Sequence, residues 1–404
     1  MIFEFSRHWA FRCRGIDYLN LNPTIYLLSA ASFVVVAVMT VTGPLLPLIA
    51  DEFGESVGSA GIIVTAFAIP YGVLQIFYGP IGDRIGKLRV IAATLGVSTV
   101  FIVACGFVAS LESLTLWRCL TGAATAATVP LSMAYIADEV PYTERQPVIA
   151  RYISGIIAGQ IAGGCLGGIA AEYFDWRDVF FFFGILSIFL SGALWFTAGR
   201  CPPPRNERAH RLSEVLGTYL QLFRKRRSRD LIIAASLEGI LIFGVLAYFG
   251  AFLRHEHALS YLAIGLVLAA YSMGGAIYIA AVFHIVRLLG ERGMILAGTA
   301  LLAAGYLLLT VVPFWWLCIP VFLFAGLGFY AFHNTMQTRA TELSAGARGT
   351  GVSLWVFMLF LGQGVGVTLF GYMIDGPGYD TAFIVAGLGV AGLGLWFQRR
   401  VQVH

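Results

Sequence analysis

The chain has 404 residues, 58% of them hydrophobic and only 12% charged, about half the charged share of a typical soluble domain. With a formal net charge of +4 that is not distributed like a nucleic-acid footprint, these proportions exclude a soluble enzyme, a nucleic-acid-binding domain and a disordered chain, and they point to an all-α polytopic membrane protein. Six cysteines are scattered without C-x-x-C or metal spacing, so neither a disulfide framework nor a metal site is expected.

The first 24 residues carry Arg7, Arg12 and Arg14 but no short apolar core before a small-residue cleavage site, so the first apolar run is read as retained. A bilayer core takes about 20 apolar residues per helix. Twelve runs of that kind follow, at about 25–49, 58–81, 88–108, 113–137, 147–171, 178–198, 231–253, 260–285, 293–312, 315–340, 350–373 and 379–398. An even number of crossings puts both ends on one side. Counting Lys and Arg with a cytoplasmic N-terminus places 23 of the 26 in inside segments, so both termini are expected in the cytoplasm. The domains expected are a six-helix bundle over 1–198, a cytoplasmic central loop over 199–230 and a second bundle over 231–404.

Between the second and third runs the sequence reads Gly79-Pro80-Ile81-Gly82-Asp83-Arg84-Ile85-Gly86-Lys87-Leu88-Arg89. This resembles the G-x-x-x-D-R-x-G-[RK]-[RK] loop of the major facilitator superfamily, and length, twelve spans and central loop agree with that family across the whole chain. The resemblance implies a gating role for Gly79, Gly82, Asp83, Arg84, Gly86 and Lys87. Gly79 would let two helices approach closely, and Gly86 would permit the tight turn. Asp83 would sit against the positive start of span eleven near Gly349-Thr350-Gly351, and Arg84 would bridge to Glu139, with Arg145 in the same neighbouring loop. The second half has Val286 where the first has Asp83, so this latch is expected on one side only.

Span four contains Arg118 within an R-x-x-x-G pattern ending at Gly122. A charged side chain there is costly unless it faces a wet cavity or a partner, and the resemblance links it to proton coupling or substrate charge. Thr121, Thr125, Thr128 and Ser132 continue from it at helical spacing, a stripe suited to lining a cavity. Span five places Gly155, Gly159, Gly163 and Gly167 every fourth residue, a face for close helix packing. It is similar to the antiporter pattern G-x-x-x-G-P-x-x-G-G, with Gln160 in place of proline. Asp175-Trp176-Arg177 before span six also looks like the drug-efflux branch.

In the central loop, Leu212, Val215, Leu216, Tyr219, Leu220 and Phe223 recur at helical spacing before Arg224-Lys225-Arg226-Arg227, which reads as a helix on an anionic leaflet. Glu238 is the carboxylate lying clearly inside a span. Burial disfavours its charged form and makes it a candidate proton carrier. Span ten adds His333, Asn334 and Gln337, and His333 is a second candidate for titration. Gln363 in span eleven and Gln160 are candidate substrate contacts, as are Thr121, Thr125, His333, Asn334 and Gln337.

A shift of 203 residues carries Gly159-Gln160 onto Gly362-Gln363, Gly163 onto Gly366, Glu139 onto Glu342 and Arg145 onto Arg348, which argues for duplicated halves. Halves of this kind place a substrate site between them near mid-membrane. The expected activity is proton-coupled export of a small, hydrophobic or aromatic molecule through a bacterial-type inner (plasma) membrane. A proton-linked importer or facilitator of a metabolite is the alternative within transport, and a non-transporting scaffold or sensor the alternative outside it. No Walker-type loop or catalytic triad is present, so the proton gradient is the expected energy source, with no cofactor and no catalysis. The expected partners are the bilayer and a small-molecule substrate, without nucleic acid, and the chain is expected to act as a monomer.

Overall fold

The computed structural model describes residues 23–200, 217, 221–343 and 348–400. Of the amphipathic stretch expected at 212–223, positions 212–216 and 218–220 lie outside them, as do the arginines of the N-terminal tail. Lipid offers the backbone no hydrogen-bonding partner, so apolar runs of this length fold as helices that satisfy their own N–H and C=O groups.

In chain order these are α1 (Pro23–Phe53), α2 (Val57–Ile85), α3 (Lys87–Phe107), α4 (Leu111–Glu139), α5 (Tyr142–Tyr173), α6 (Asp178–Arg200) and α7 (Ser228–His257). A continuous stretch, Tyr261–Leu309, runs 49 residues, about 74 Å at 1.5 Å per residue. That is more than twice a bilayer core, and the stretch breaks at Gly290, whose φ of +59° and ψ of −178° are non-helical. It is therefore two crossings, α8 (261–289) and α9 (291–309). Then come α10 (Trp315–Thr341), α11 (Arg348–Asp375) and α12 (Tyr379–Arg400). The crossings number twelve among the described residues, as the apolar runs predict.

Local chemistry explains the irregularities. Helix α1 loosens at Val41 because Pro44 has no N–H for the Thr40 carbonyl. Helix α4 loosens at Ala126–Ala127, where Pro130 leaves the Ala126 carbonyl without its bond. Ser56, Ser110 and Ser260 accept from the N–H three residues on and cap α2, α4 and α8. Helix α7 changes to a π-turn over Gly239–Phe243, directly after Glu238. Large apolar side chains such as Phe107, Phe189 and Leu288 are 76%, 70% and 83% exposed, a surface that belongs against lipid tails rather than water.

The helices form two bundles of six, and the repeat is visible in their packing. Helix α5 lies against α1 and crosses to α8 of the other bundle, while α11 lies against α7 and crosses to α2. A Cβ at Gly159 would stand 2.5 Å from the Phe33 carbonyl oxygen, and one at Gly362 would stand 2.2 Å from that of Ser236. The next turn repeats the pattern, with Gly163 2.6 Å from the Ala37 oxygen and Gly366 2.4 Å from that of Ile240. Both residues of each pair are related by the same 203-residue shift. The small-residue face expected on span five is thus a backbone-to-backbone seam with α1.

Candidate functional site

Among the described residues, the polar side chains inside the membrane helices include one cluster around Glu238 in the second bundle and one around Arg118 in the first. The richer one joins α7, α10 and α11. Glu238 ends the regular part of α7 and has none of its surface exposed, whereas the His333 side chain on α10 is 17% exposed. Glu238 Oε1 and His333 Nδ1 are 2.6 Å apart. The imidazole is packed by Trp355, with centroids 5.0 Å apart, by Phe329 at 5.0 Å and by Phe243 at 6.2 Å. Glycine follows the glutamate because α11 presses on it: a Cβ at Gly239 would be 2.1 Å from the Leu359 oxygen and 2.7 Å from the Gln363 nitrogen. Three buried atoms here have no hydrogen-bond partner: Glu238 Oε2, Trp355 Nε1 and Gln363 Oε1. Unsatisfied buried groups of this kind call for an explanation, and a functional one is common.

The cluster reaches across the seam between the bundles. The Tyr330 hydroxyl, next to Phe329, donates to Gln160 Oε1 on α5. Asn334 is half-buried beside Tyr278 of α8, and Gln337, one turn further along α10, is exposed. Of the expected substrate contacts, the structure therefore brings His333 and Gln363 into one α7–α10–α11 core, ties Gln160 to it through Tyr330, and leaves Asn334 and Gln337 at its edge.

In the first bundle Arg118 is fully buried. Its Nη1 donates to the Val38 carbonyl at 2.8 Å, and its guanidinium lies 4.5 Å above the centre of the Phe67 ring. Nε and Nη2 have no partner. Phe67 stacks on Tyr71, which meets Phe360 of α11 with centroids 4.7 Å apart, so an aromatic row links the arginine to the other bundle. The threonine stripe departs from expectation. Thr121 and Thr125 are fully buried and donate to the carbonyls of Trp117 and Thr121 on their own helix, at 2.7 and 2.8 Å. A hydroxyl bonded to the carbonyl four residues back can sit in apolar packing, so these residues line no open cavity in this conformation.

The motif loop is held differently from the sequence reading in three respects. Gly86 does make the turn, with φ of +106°. The close approach, however, is at Gly82, where a Cβ would meet Leu131 of α4 at 2.7 Å, and Gly79 has open space around it. Among the described residues Arg84 and Glu139 form no ion pair with each other; the pair instead joins Lys87 Nζ to Asp138 Oδ2 at 2.5 Å and to Asp83 Oδ1 at 3.0 Å. Asp138 precedes Glu139 by 100° of helix rotation, and it is the one that faces α3. Asp83 is engaged within its own loop, while its expected partner, the start of α11, adjoins residues outside the described set. Arg145 Nη2 donates to the carbonyls of Ala137 and Val140 at 2.6 and 3.2 Å, closing the end of α4. The second bundle has a charge-reversed counterpart of the Lys87–Asp138 pair, in which Arg339 of α10 forms a two-bond pair with Glu291 of α9.

The Asp175-Trp176-Arg177 turn closes the opposite face of the first bundle. Arg177 Nη2 donates to Glu52 Oε1 at 2.7 Å, and Trp176 Nε1 donates to Glu52 Oε2 at 2.5 Å. Burial alone would lower the pKa of Arg177, but Glu52 and Asp175 beside it hold it above its ordinary value.

This architecture defines a class, the helical carriers built from two repeated bundles, and comparison assigns the family. The model of the Major Facilitator Superfamily matches residues 28–343 and 251–403. The chain belongs to that superfamily of membrane transporters. It is 26% identical over 353 residues to the uncharacterized MFS-type transporter YceJ of Bacillus subtilis, covering 86% of this chain and 88% of that one. It is also 27% identical over 154 residues to the multidrug export protein EmrB of Haemophilus influenzae, covering 38% of this chain and 30% of that protein. Among solved structures it resembles the nucleoside transporter NupG, with a TM-score of 0.76 at 14% identity, over 95% of this chain and all of that one. It likewise resembles an inward-facing, unoccupied bacterial homolog of the human lysosomal transporter Spinster, with a TM-score of 0.70 at 19% identity, over 93% of this chain and 94% of that one. These likenesses show the fold.

The pairing of Glu238 with His333 follows from residues the sequence singles out separately. The π-turn and the tryptophan and phenylalanine walls around the imidazole carry no sequence signal of their own, because aromatic residues make up 14% of the chain.

Proposed function

We propose that the chain moves a small molecule across a bacterial-type inner membrane by alternating access, and that protonation of the Glu238–His333 pair drives the step. The observation that carries this reading is the 2.6 Å contact between the two side chains inside the second bundle. With one proton shared, the pair is neutral overall, whether written as acid and imidazole or as carboxylate and imidazolium. A second proton gives an acid beside an imidazolium, weakens the acceptor that Nδ1–H meets from a carboxylate to a neutral carbonyl oxygen, and makes a buried site cationic. Losing the shared proton makes the site anionic. Either change is costly in low dielectric unless the surroundings rearrange. His333 is the less buried member, so protons reach Glu238 through it. The helix that must respond is α7, and its π-turn begins at the next residue; such turns recur at functional sites.

Export is the favoured direction. Support comes from the fifth-helix glycine pattern and the partial likeness to a multidrug exporter. The aromatic walls of Trp355, Phe329, Tyr330 and Phe360 suit a flat hydrophobic cargo. The basic face, which carries Arg84, Lys87, Arg89, Arg200, Arg399 and Arg400, is taken as cytoplasmic. Everted membrane vesicles with an imposed pH gradient, acid inside, and ethidium supplied in the medium test the reading. Gradient-driven ethidium movement with the native chain, lost in Glu238→Gln and in His333→Ala, is the expected result. Movement that persists in both variants, or that ignores the gradient, removes the coupling proposal.

A further inference from the structure

On the face opposite the basic loops, the two bundles are joined by contacts that the internal repeat exchanges. Glu172, in the last turn of α5, accepts a hydrogen bond at 2.8 Å from the backbone N–H of Tyr261, the first residue of α8. Asp375, which ends α11, accepts one at 2.9 Å from the N–H of Gly58 in the first turn of α2, and a second at 2.6 Å from the Ser56 hydroxyl. The 203-residue shift carries Glu172 onto Asp375 and Gly58 onto Tyr261. The backbones approach in the same exchanged way: a Cβ at Gly168 would stand 2.4 Å from the Tyr261 oxygen, and one at Gly371 would stand 2.9 Å from the Gly58 oxygen. Each half thus grips the start of the partner half's second helix with a carboxylate.

We infer that Glu172 and Asp375 are a matched pair of latches that hold this face shut and must both release for it to open, an inference that rests on the alternating-access reading above. The N–H groups of a helix's first turn have no acceptor within the helix, and that end carries partial positive charge. A carboxylate from the other bundle answers both needs at once, so closing the face satisfies donors that opening it returns to water. Because the contacts sit at the same depth on two pseudo-symmetric seams, neither half can swing outward while one latch holds. The motif loop on the basic face has its acid in the first half only, with Val286 in the second, and Asp83 there pairs with Lys87 of its own bundle, so the repeat does not exchange that contact.

Native Cys165 is a built-in reporter. It lies on α5 between Gly164 and Leu166, half-buried at the seam, with its Sγ 4.0 Å from the Gly265 carbonyl of α8. The full chain in lipid nanodiscs, treated with a membrane-impermeant maleimide and read at Cys165 by mass spectrometry, measures how often the seam opens. Glu172→Gln and Asp375→Asn are each expected to raise the labelling rate about threefold, and the double variant about tenfold, as two independent contacts combine. Ser56→Ala, which removes one bond from Asp375 together with the cap of α2 and leaves both carboxylates in place, is expected to raise it less. Glu256→Gln, an exposed acid on the same face outside the latches, is expected to leave it unchanged. Native labelling rates in Glu172→Gln, Asp375→Asn and Ser56→Ala, with melting temperatures near native, would overturn the inference. No substrate or gradient enters this measurement, so its failure is separable from failure of the transport reading.

Discussion

Glu238 has none of its surface exposed, and one of its oxygens has no partner, so the two ways of replacing it should part company. Glu238→Gln keeps the shape and an acceptor for His333 but cannot carry a proton. It should hold the melting temperature within a few degrees while gradient-driven transport falls to background. Glu238→Ala leaves a void and an unpaired His333, and should cost about 2–4 kcal/mol in a denaturation experiment. Arg118 separates stability from function more sharply. Two of its three nitrogens are buried without partners, an arrangement that a well-packed apolar side chain commonly matches or improves in stability. Arg118→Met should therefore melt no lower than the native chain and yet lose transport. A large drop in melting temperature would show that the arginine is structural.

At the scale of helices, the seam of α5 on α1 and its copy of α11 on α7 should respond alike to the same change. Gly159→Ala and Gly362→Ala each push a methyl against a carbonyl oxygen, 2.5 and 2.2 Å away, and each should destabilise by about 1–3 kcal/mol, read by thermal unfolding. An effect at one position and none at the other would break the equivalence of the halves. For the motif loop, Lys87→Met should loosen α3 from α4 and leave Asp83 and Asp138 facing each other, with Asp138→Asn giving back part of the loss. Equal and additive losses would mean that the two side chains do not interact. The spans, the basic loops and the glycine seam were legible in the sequence because each is a matter of period and composition. The partner of Lys87 was not, because choosing Asp138 over Glu139 requires the rotation of α4 about its axis, which packing fixes. The inward-bonded hydroxyls of Thr121 and Thr125 escaped for the same reason, since spacing shows which residues share a face but not whether that face meets water or a neighbouring helix. The Tyr330–Gln160 bond spans the seam between bundles, and no local pattern encodes a contact between α5 and α10.

For the molecule as a whole, the two bundles touch through α2 with α11 and α5 with α8, and the Glu172 and Asp375 contacts fasten the face away from the basic loops. The 203-residue repeat exchanges the two bundles on each face, so the two seams of a face open or close together, and a modest energy change at one buried pair can tip the balance between the two arrangements. Spin labels placed in pairs across the seam on each face, with distances read in lipid nanodiscs at pH 8 and again at pH 5.5, test this account most directly. It predicts opposite changes, one face widening as the other narrows, with both changes abolished in Glu238→Gln. Distances that stay fixed at both faces across that pH range, or that widen together, would contradict it.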